Sequence, residues 1–169
     1  MDAAALRAMQ APIKERLKSD PKSGLITLKA KGSTDSDGIA CKVETGRALA
    51  IAGLHPATGG SGLELCSGDM LLEALVACAG VTLKSVATAI EVPLKQGLVF
   101  AEGDIDFRGT LGVDKEAPVG FEEIRLRFEI ATDAPQDKLD LLLKLTERYC
   151  VVYQTIKNGP KVAVSMKRI

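Results

Sequence analysis

The sequence predicts an α+β domain in which two long helices pack on a mainly antiparallel sheet. Two observations lead there. The chain carries two long apolar segments with helical character, Met70–Ile90 and Leu139–Ile156. Around them lie short runs with the alternation of half-buried strands, so the order is helix, strands, long helix, strands, long helix, strand. The 169 residues and their 46% apolar fraction suit a single domain over residues 1–169.

Each element has its own signal. Leu6, Met9, Pro12, Ile13 and Leu17 recur at helical spacing, so residues 1–20 form a helical extension that Pro12 kinks. Asp20-Pro21 marks a turn. Leu25–Lys31 alternates as a strand, and Ile39–Val43 with Ala48–Ile51 reads as a hairpin joined by Glu44-Thr45-Gly46-Arg47. Residues 53–68 form a glycine-rich loop without the Gly-Lys-Ser/Thr ending of a phosphate loop. Ser67 or Asp69 is the expected N-cap of the first long helix, which ends before Pro93. Leu98–Leu111 is a strand. Glu122–Ile130 is a clearer one, with Ile124, Leu126, Phe128 and Ile130 on one face and Glu123, Arg125, Arg127 and Glu129 on the other. Asp133-Ala134-Pro135 starts the second long helix, Asn158-Gly159-Pro160 stops it, and Lys161–Arg168 closes the chain as a strand.

Composition narrows the function. Lys and Arg total 22, as do Asp and Glu, which leaves no net charge to draw nucleic acid or an anionic membrane. Trp is absent and aromatics are 4%, against a base-stacking platform. Residues 1–18 mix charges into the apolar positions and lack the apolar core of a secretory leader. Glu73, Lys84, Gly80 and Ser85 make Met70–Ile90 a buried helix rather than a membrane span. A cytoplasmic protein is expected, in which the four cysteines are free thiols or a redox pair. The apolar circumference of the first long helix calls for burial in a subunit interface, hence a homodimer.

Few side chains promise chemistry. Cys78 and Cys150 lie within the two long segments, and two thiols that meet can carry thiol–disulfide redox chemistry. The helical neighbours of Cys78, namely Ala74, Leu75, Val81 and Thr82, would raise its pKa by desolvation, so any activating group must come from elsewhere in the chain. Glu147, one turn before Cys150, does not favour a thiolate there, and Gln154 lies one turn after. Cys41 reads as a core residue and Cys66 as a partly exposed bystander. With one histidine, His55, and no C-x-x-C spacing, neither a metal site nor a cofactor is expected. His55, Asp69 and Glu73 are the residues an unrelated enzyme activity would use.

The run GRALAIAGLHPATGGSGLELCSGDMLLEALVACAGVTLKSVA, with ERYCVVYQTIK further on and DFRGTLG between them, resembles the osmotically inducible (OsmC) and organic hydroperoxide resistance (Ohr) proteins. The likeness covers about Leu25 to Ile169 and leaves the N-terminal helix outside. It implies an intertwined homodimer with the two long helices at its centre, and reduction of organic hydroperoxides or hydrogen peroxide. Cys78 would then be the peroxidatic cysteine, oxidised to a sulfenic acid. Cys150 would be the resolving cysteine, closing an internal disulfide that an external dithiol reduces. The family's Pro-Glu before the first cysteine is Ser67-Gly68 here, with Asp69 the nearest carboxylate substitute. Arg47 is the nearest candidate for the family's cation, and Val151 stands where a proline commonly follows the second cysteine. The alternative is a non-catalytic dimer of the same fold that binds a small hydrophobic ligand or a protein partner.

Overall fold

The computed structural model describes residues 3–34, 41–43, 52–63 and 65–168. Helix α1 (Ala3–Ser19) continues through Pro12 and buries Leu17, 1% exposed, against the body of the protein. A 3-10 turn at Pro21–Gly24 leads into strand β1 (Leu25–Thr34). Strand β2 (Cys41–Val43) pairs antiparallel with its end. The rest of the expected hairpin, including Ala48–Ile51 and Arg47, lies outside the described residues. The glycine-rich segment carries a short parallel pair, β3 (Ala52–Gly53) and β4 (Leu65–Cys66), and a 3-10 turn at Pro56–Thr58.

Helix α2 (Ser67–Ala89) starts earlier than expected, and its N-cap is Cys66 rather than Ser67 or Asp69. Asp69 falls inside the first turn, where a carboxylate suits the positive end of the helix. The helix stops where Glu91 turns left-handed (φ 58°), with Val92 N–H donating to Ala87 C=O and Glu91 N–H to Thr88 C=O. Pro93 follows, unable to extend it. Leu72, Leu75, Val76, Ala79, Leu83, Val86 and Ala87 form the buried face. That face lies across β1 and strand β5 (Gln96–Asp106), whose Val99, Ala101 and Ile105 meet it. Strand β6 (Phe121–Ala131) completes an antiparallel sheet of order β2-β1-β5-β6.

Three sequence expectations need correction. The strand predicted to Leu111 ends at Asp106. There the Asp106 carboxylate accepts the Arg108 N–H (2.9 Å) and turns the chain into a short helix, α3 (Phe107–Thr110). The second long helix is two helices, α4 (Gln136–Tyr149) and α5 (Val151–Asn158), broken at Cys150, whose ψ of 105° is extended. Val151 and Val152 are β-branched, and β-branched residues resist the helix at such a joint. Residues 161–168 form no strand: Val162, Val164 and Met166 are 80%, 91% and 99% exposed, and none of the described residues pairs with this segment.

Candidate active site

Cys78 lies near the middle of α2, and the break at Cys150 brings a second segment onto it. Because α4 ends at Cys150 and α5 begins at Val151, the free N–H groups of the first turn of α5 face α2. The backbone N–H groups of Val152 and Val151, the Cys150 thiol and the Thr82 hydroxyl one turn along α2 all favour the thiolate of Cys78. Burial raises the Cys78 pKa. The Val152 N–H, the Cys150 thiol, Thr82 and the Val151 N–H outweigh it, and the thiol sits below its ordinary value. Among the described residues, no cation is among the groups acting on Cys78. The positive end of α5 does that work.

Cys150 is the reverse case. It is 1% exposed, and burial pushes its thiol up to about 11, helped by the neighbouring Cys78 and opposed by the Tyr153 N–H. The pair is therefore polarised: Cys78 ionises more readily than an ordinary thiol and Cys150 less readily. Both are free thiols that pack in the same core cluster and are not at disulfide distance.

The other sequence candidates fall elsewhere. Asp69 is nine residues before Cys78 on one helix, which places it roughly 13 Å away along the axis. Its partner is His55, whose Nδ1 accepts the Ala57 N–H (3.0 Å) and whose ring stacks on Phe107 at 4.9 Å. Burial raises the Asp69 pKa while His55 lowers it; Glu73 is raised by burial and by Asp69. Cys66 caps α2 and packs on the core. Cys41 lies in β2, and Arg47 is outside the described residues. A half-buried ion pair does exist, between Asp106 and Arg108 (Nε–Oδ2 2.7 Å), with Arg108 Nη1 also on Asp114 at 3.1 Å. It sits under Gly24, where a Cβ would come within 2.4 Å of Asp106 Oδ1.

Two surfaces adjoin the thiols. On α2, Leu71, Ala74, Val81 and Ser85 share the face of Cys78 and remain exposed, Leu71 at 40% and Val81 at 38%. Beside it, a groove of about 540 Å³ runs between β6 and the α4–α5 helices, lined by Leu75, Phe121, Leu126, Phe128, Leu143 and Tyr153. Sequence reasoning took Thr82 as a desolvating neighbour of Cys78, whereas its hydroxyl lowers the thiol's pKa, and it missed the two backbone donors. The Cys-x-x-x-Thr spacing, one helical turn, was the available signal for Thr82. Backbone donors leave no mark of residue type.

The sequence matches the OsmC-like protein family over residues 60–165. A solved structure of an OsmC-like hydroperoxide resistance protein from Jannaschia sp. CCS1 superimposes with a TM-score of 0.63, covering 86% of this chain and 95% of that one. The identity is 12%, so this likeness concerns the fold. No curated protein matches the sequence.

Proposed function

The chain belongs to the OsmC-like proteins, and from that premise we propose that it is a thiol-dependent hydroperoxide reductase in which Cys78 is the peroxidatic and Cys150 the resolving cysteine. The observation that carries this reading is the polarised pair: a thiol lowered by the start of α5, packed in the same core cluster as a second, buried thiol. The hydroperoxide resistance ascribed to the Jannaschia protein supports it.

In this reading the Cys78 thiolate attacks the terminal oxygen of ROOH. An S–O bond forms, the O–O bond breaks, and RO⁻ leaves to become the alcohol. Cys78 is then a sulfenic acid. The Cys150 sulfur attacks it, forming the S–S bond and expelling hydroxide, which leaves as water. An external dithiol returns both thiols. The sulfurs must approach for the second step, and the non-helical joint at Cys150 is where the chain can give. The apolar surroundings of Cys78 suit organic peroxides over hydrogen peroxide. A reducing compartment such as the cytoplasm supplies the dithiol.

The uncovered stripe Leu71–Val81 on α2, with Tyr149 at 57% and Val151 at 69% exposure, supports a homodimer that closes over Cys78. Sedimentation equilibrium would show it, and a monomer at micromolar concentration would remove this part of the reading.

Counting free thiols before and after one equivalent of cumene hydroperoxide tests the chemistry. Two thiols lost per chain is the expected result, and Cys78→Ser should lose none. No loss in the unaltered protein would end the reading. The apolar groove favours a second reading, a binding protein for a hydrophobic ligand. In that case Cys78→Ser would leave peroxide tolerance of the cell unchanged.

A further inference from the structure

We propose that Gln154 is a positioning residue for Cys78: its side chain holds the helix broken at Cys150, and so keeps the first turn of α5 turned toward α2. The inference takes from the reading above that Cys78 is the reacting thiol. It adds a residue that the chemistry itself does not use.

An α-helix carried straight through Cys150 would satisfy its own backbone. Glu147 C=O would accept the Val151 N–H, four residues on. Among the described residues that bond is missing. The backbone bonds that remain across the joint are Cys150 N–H to Thr146 C=O (3.0 Å) and Gln154 N–H to Cys150 C=O (2.9 Å). Cys150 itself is extended, with ψ at 105°. The break therefore frees the Val151 N–H, one of the groups that favour the Cys78 thiolate, and orphans the Glu147 carbonyl. A carbonyl left without a donor at a partly buried helix end is costly. Gln154 supplies the donor. Its Nε2 donates to Glu147 C=O at 2.7 Å, and Asn158 Nδ2 donates to its Oε1 at 2.8 Å, which fixes the amide. The turn so held meets α2 in the core, where Cys78, Cys150 and Val152 pack in one cluster.

The bond belongs to the broken arrangement alone. In an unbroken helix Glu147 and Gln154 would stand roughly 10 Å apart along the axis, and the Glu147 carbonyl would already hold Val151. Gln154 thus has a contact in one arrangement of the chain that it lacks in the other, and such a difference is what biases a two-state element. The unbroken helix is a real competitor, because Tyr149, Val152 and Ile156 keep a helical spacing through the joint. Residue type matters at this position. The task needs a donor for Glu147, an acceptor for Asn158 and the length of a glutamine side chain. Glutamate lacks the donor, asparagine is a methylene short, and methionine has the shape without either group.

The ionisation of Cys78 reads the break without any peroxide. Its thiolate absorbance would be titrated with Cys41 and Cys66 replaced by serine. Among the described residues, the titratable group acting on Cys78 is Cys150, which at about 11 titrates apart from it. A neutral hydrogen bond changes a two-state ratio by about two- to tenfold, so Gln154→Met should move the Cys78 midpoint up by roughly 0.3–1 unit. Asn158→Ala, which loosens the amide without removing it, should move it the same way and by less. Helical circular dichroism should hold or rise in Gln154→Met, because the competing state is a longer helix. Leu142→Ala is the control: it removes a buried side chain of α4 and should lower stability while leaving the midpoint in place. A midpoint that stays put in both Gln154→Met and Asn158→Ala would overturn the inference. So would a matching shift in Leu142→Ala, or a loss of helix signal in Gln154→Met, since either reports general loosening. Cumene hydroperoxide keeps the two readings apart. An unaltered protein that loses no thiol to it would end the peroxidase reading, while these shifts would still establish that Gln154 sets the ionisation of Cys78.

Discussion

Replacing Thr82 by valine removes one hydroxyl and nearly nothing else, because the two side chains share a shape. Thr82 stands four residues after Cys78, one turn up the same helix, and its hydroxyl favours the Cys78 thiolate. A hydrogen bond to a charged group contributes roughly 1.5–3 kcal/mol. One pKa unit corresponds to about 1.4 kcal/mol, so the bond is worth about 1–2 units on Cys78. The Val152 N–H and the Cys150 thiol act more strongly than Thr82, which favours the lower end, about one unit upward. The ultraviolet absorbance of the thiolate reports it directly, measured with Cys41 and Cys66 replaced by serine and compared with Thr82→Ser, which keeps the hydroxyl. In Thr82→Val the titration should move up by about one unit, and peroxide reactivity at pH 7 should fall up to tenfold. A midpoint unchanged in a folded Thr82→Val protein would refute the claim that this hydroxyl helps hold the anion.

Four further outcomes follow from the same structure. Val151→Pro removes one donor to Cys78 at the first residue of α5, where proline is tolerated and where Cys150 is already extended; folding should survive while the Cys78 titration moves up, as thiolate absorbance would show. Cys150 is raised in the folded state, so its contribution to stability is complete below the ordinary thiol value of 9.0 and is lost as pH climbs toward about 11; urea melts across that window should weaken in the unaltered protein and weaken less in Cys150→Ala. Asp106 is 4% exposed and is held below the usual carboxylate value, first of all by its hydrogen bond from Arg108. Its stabilisation is therefore present above the ordinary 3.8 and lost as pH falls through its lowered value, and Asp106→Asn should cost about 3 kcal/mol at neutral pH in denaturant melts. Glu91→Gly relieves the left-handed residue after α2 and should raise stability by about 0.5–1 kcal/mol, read as a higher urea midpoint.

The layers of the fold were legible because periodicity reports which face is buried. Ile124, Leu126, Phe128 and Ile130 line the inner side of β6 opposite β5, as their alternation indicates. Met70–Ile90 packs one face into the core, as its small and aliphatic residues indicate, while Leu71 and Val81 on the other stay exposed. What failed were features decided by a single local contact. The turn at Asp106 depends on one carboxylate reaching one N–H, and Leu98–Leu111 looks equally strand-like with or without it. The break at Cys150 lies within an apolar pattern that stays helical through Tyr149, Val152 and Ile156, so periodicity passes over it. The C-terminal segment has the alternation of a strand, and alternation says which side would be buried without supplying the partner.

The break at Cys150 gives Cys78, among the described residues, the support that a cation would otherwise supply. A guanidinium beside a thiolate and the first turn of a helix solve one electrostatic problem in two ways. The arginine is a full charge on a long, mobile chain that needs its own carboxylate to hold it. The helix start is about half a charge, but its N–H groups are fixed by the backbone and need no counterion. The cost is a constraint on Cys150. The residue that must move to close the disulfide is also the residue that sets where α5 begins, so sliding its sulfur toward Cys78 disturbs the donors that made Cys78 an anion. The disturbance comes after it can do harm: once Cys78 is a sulfenic acid it is neutral, and the first turn of α5 is no longer needed to hold a charge.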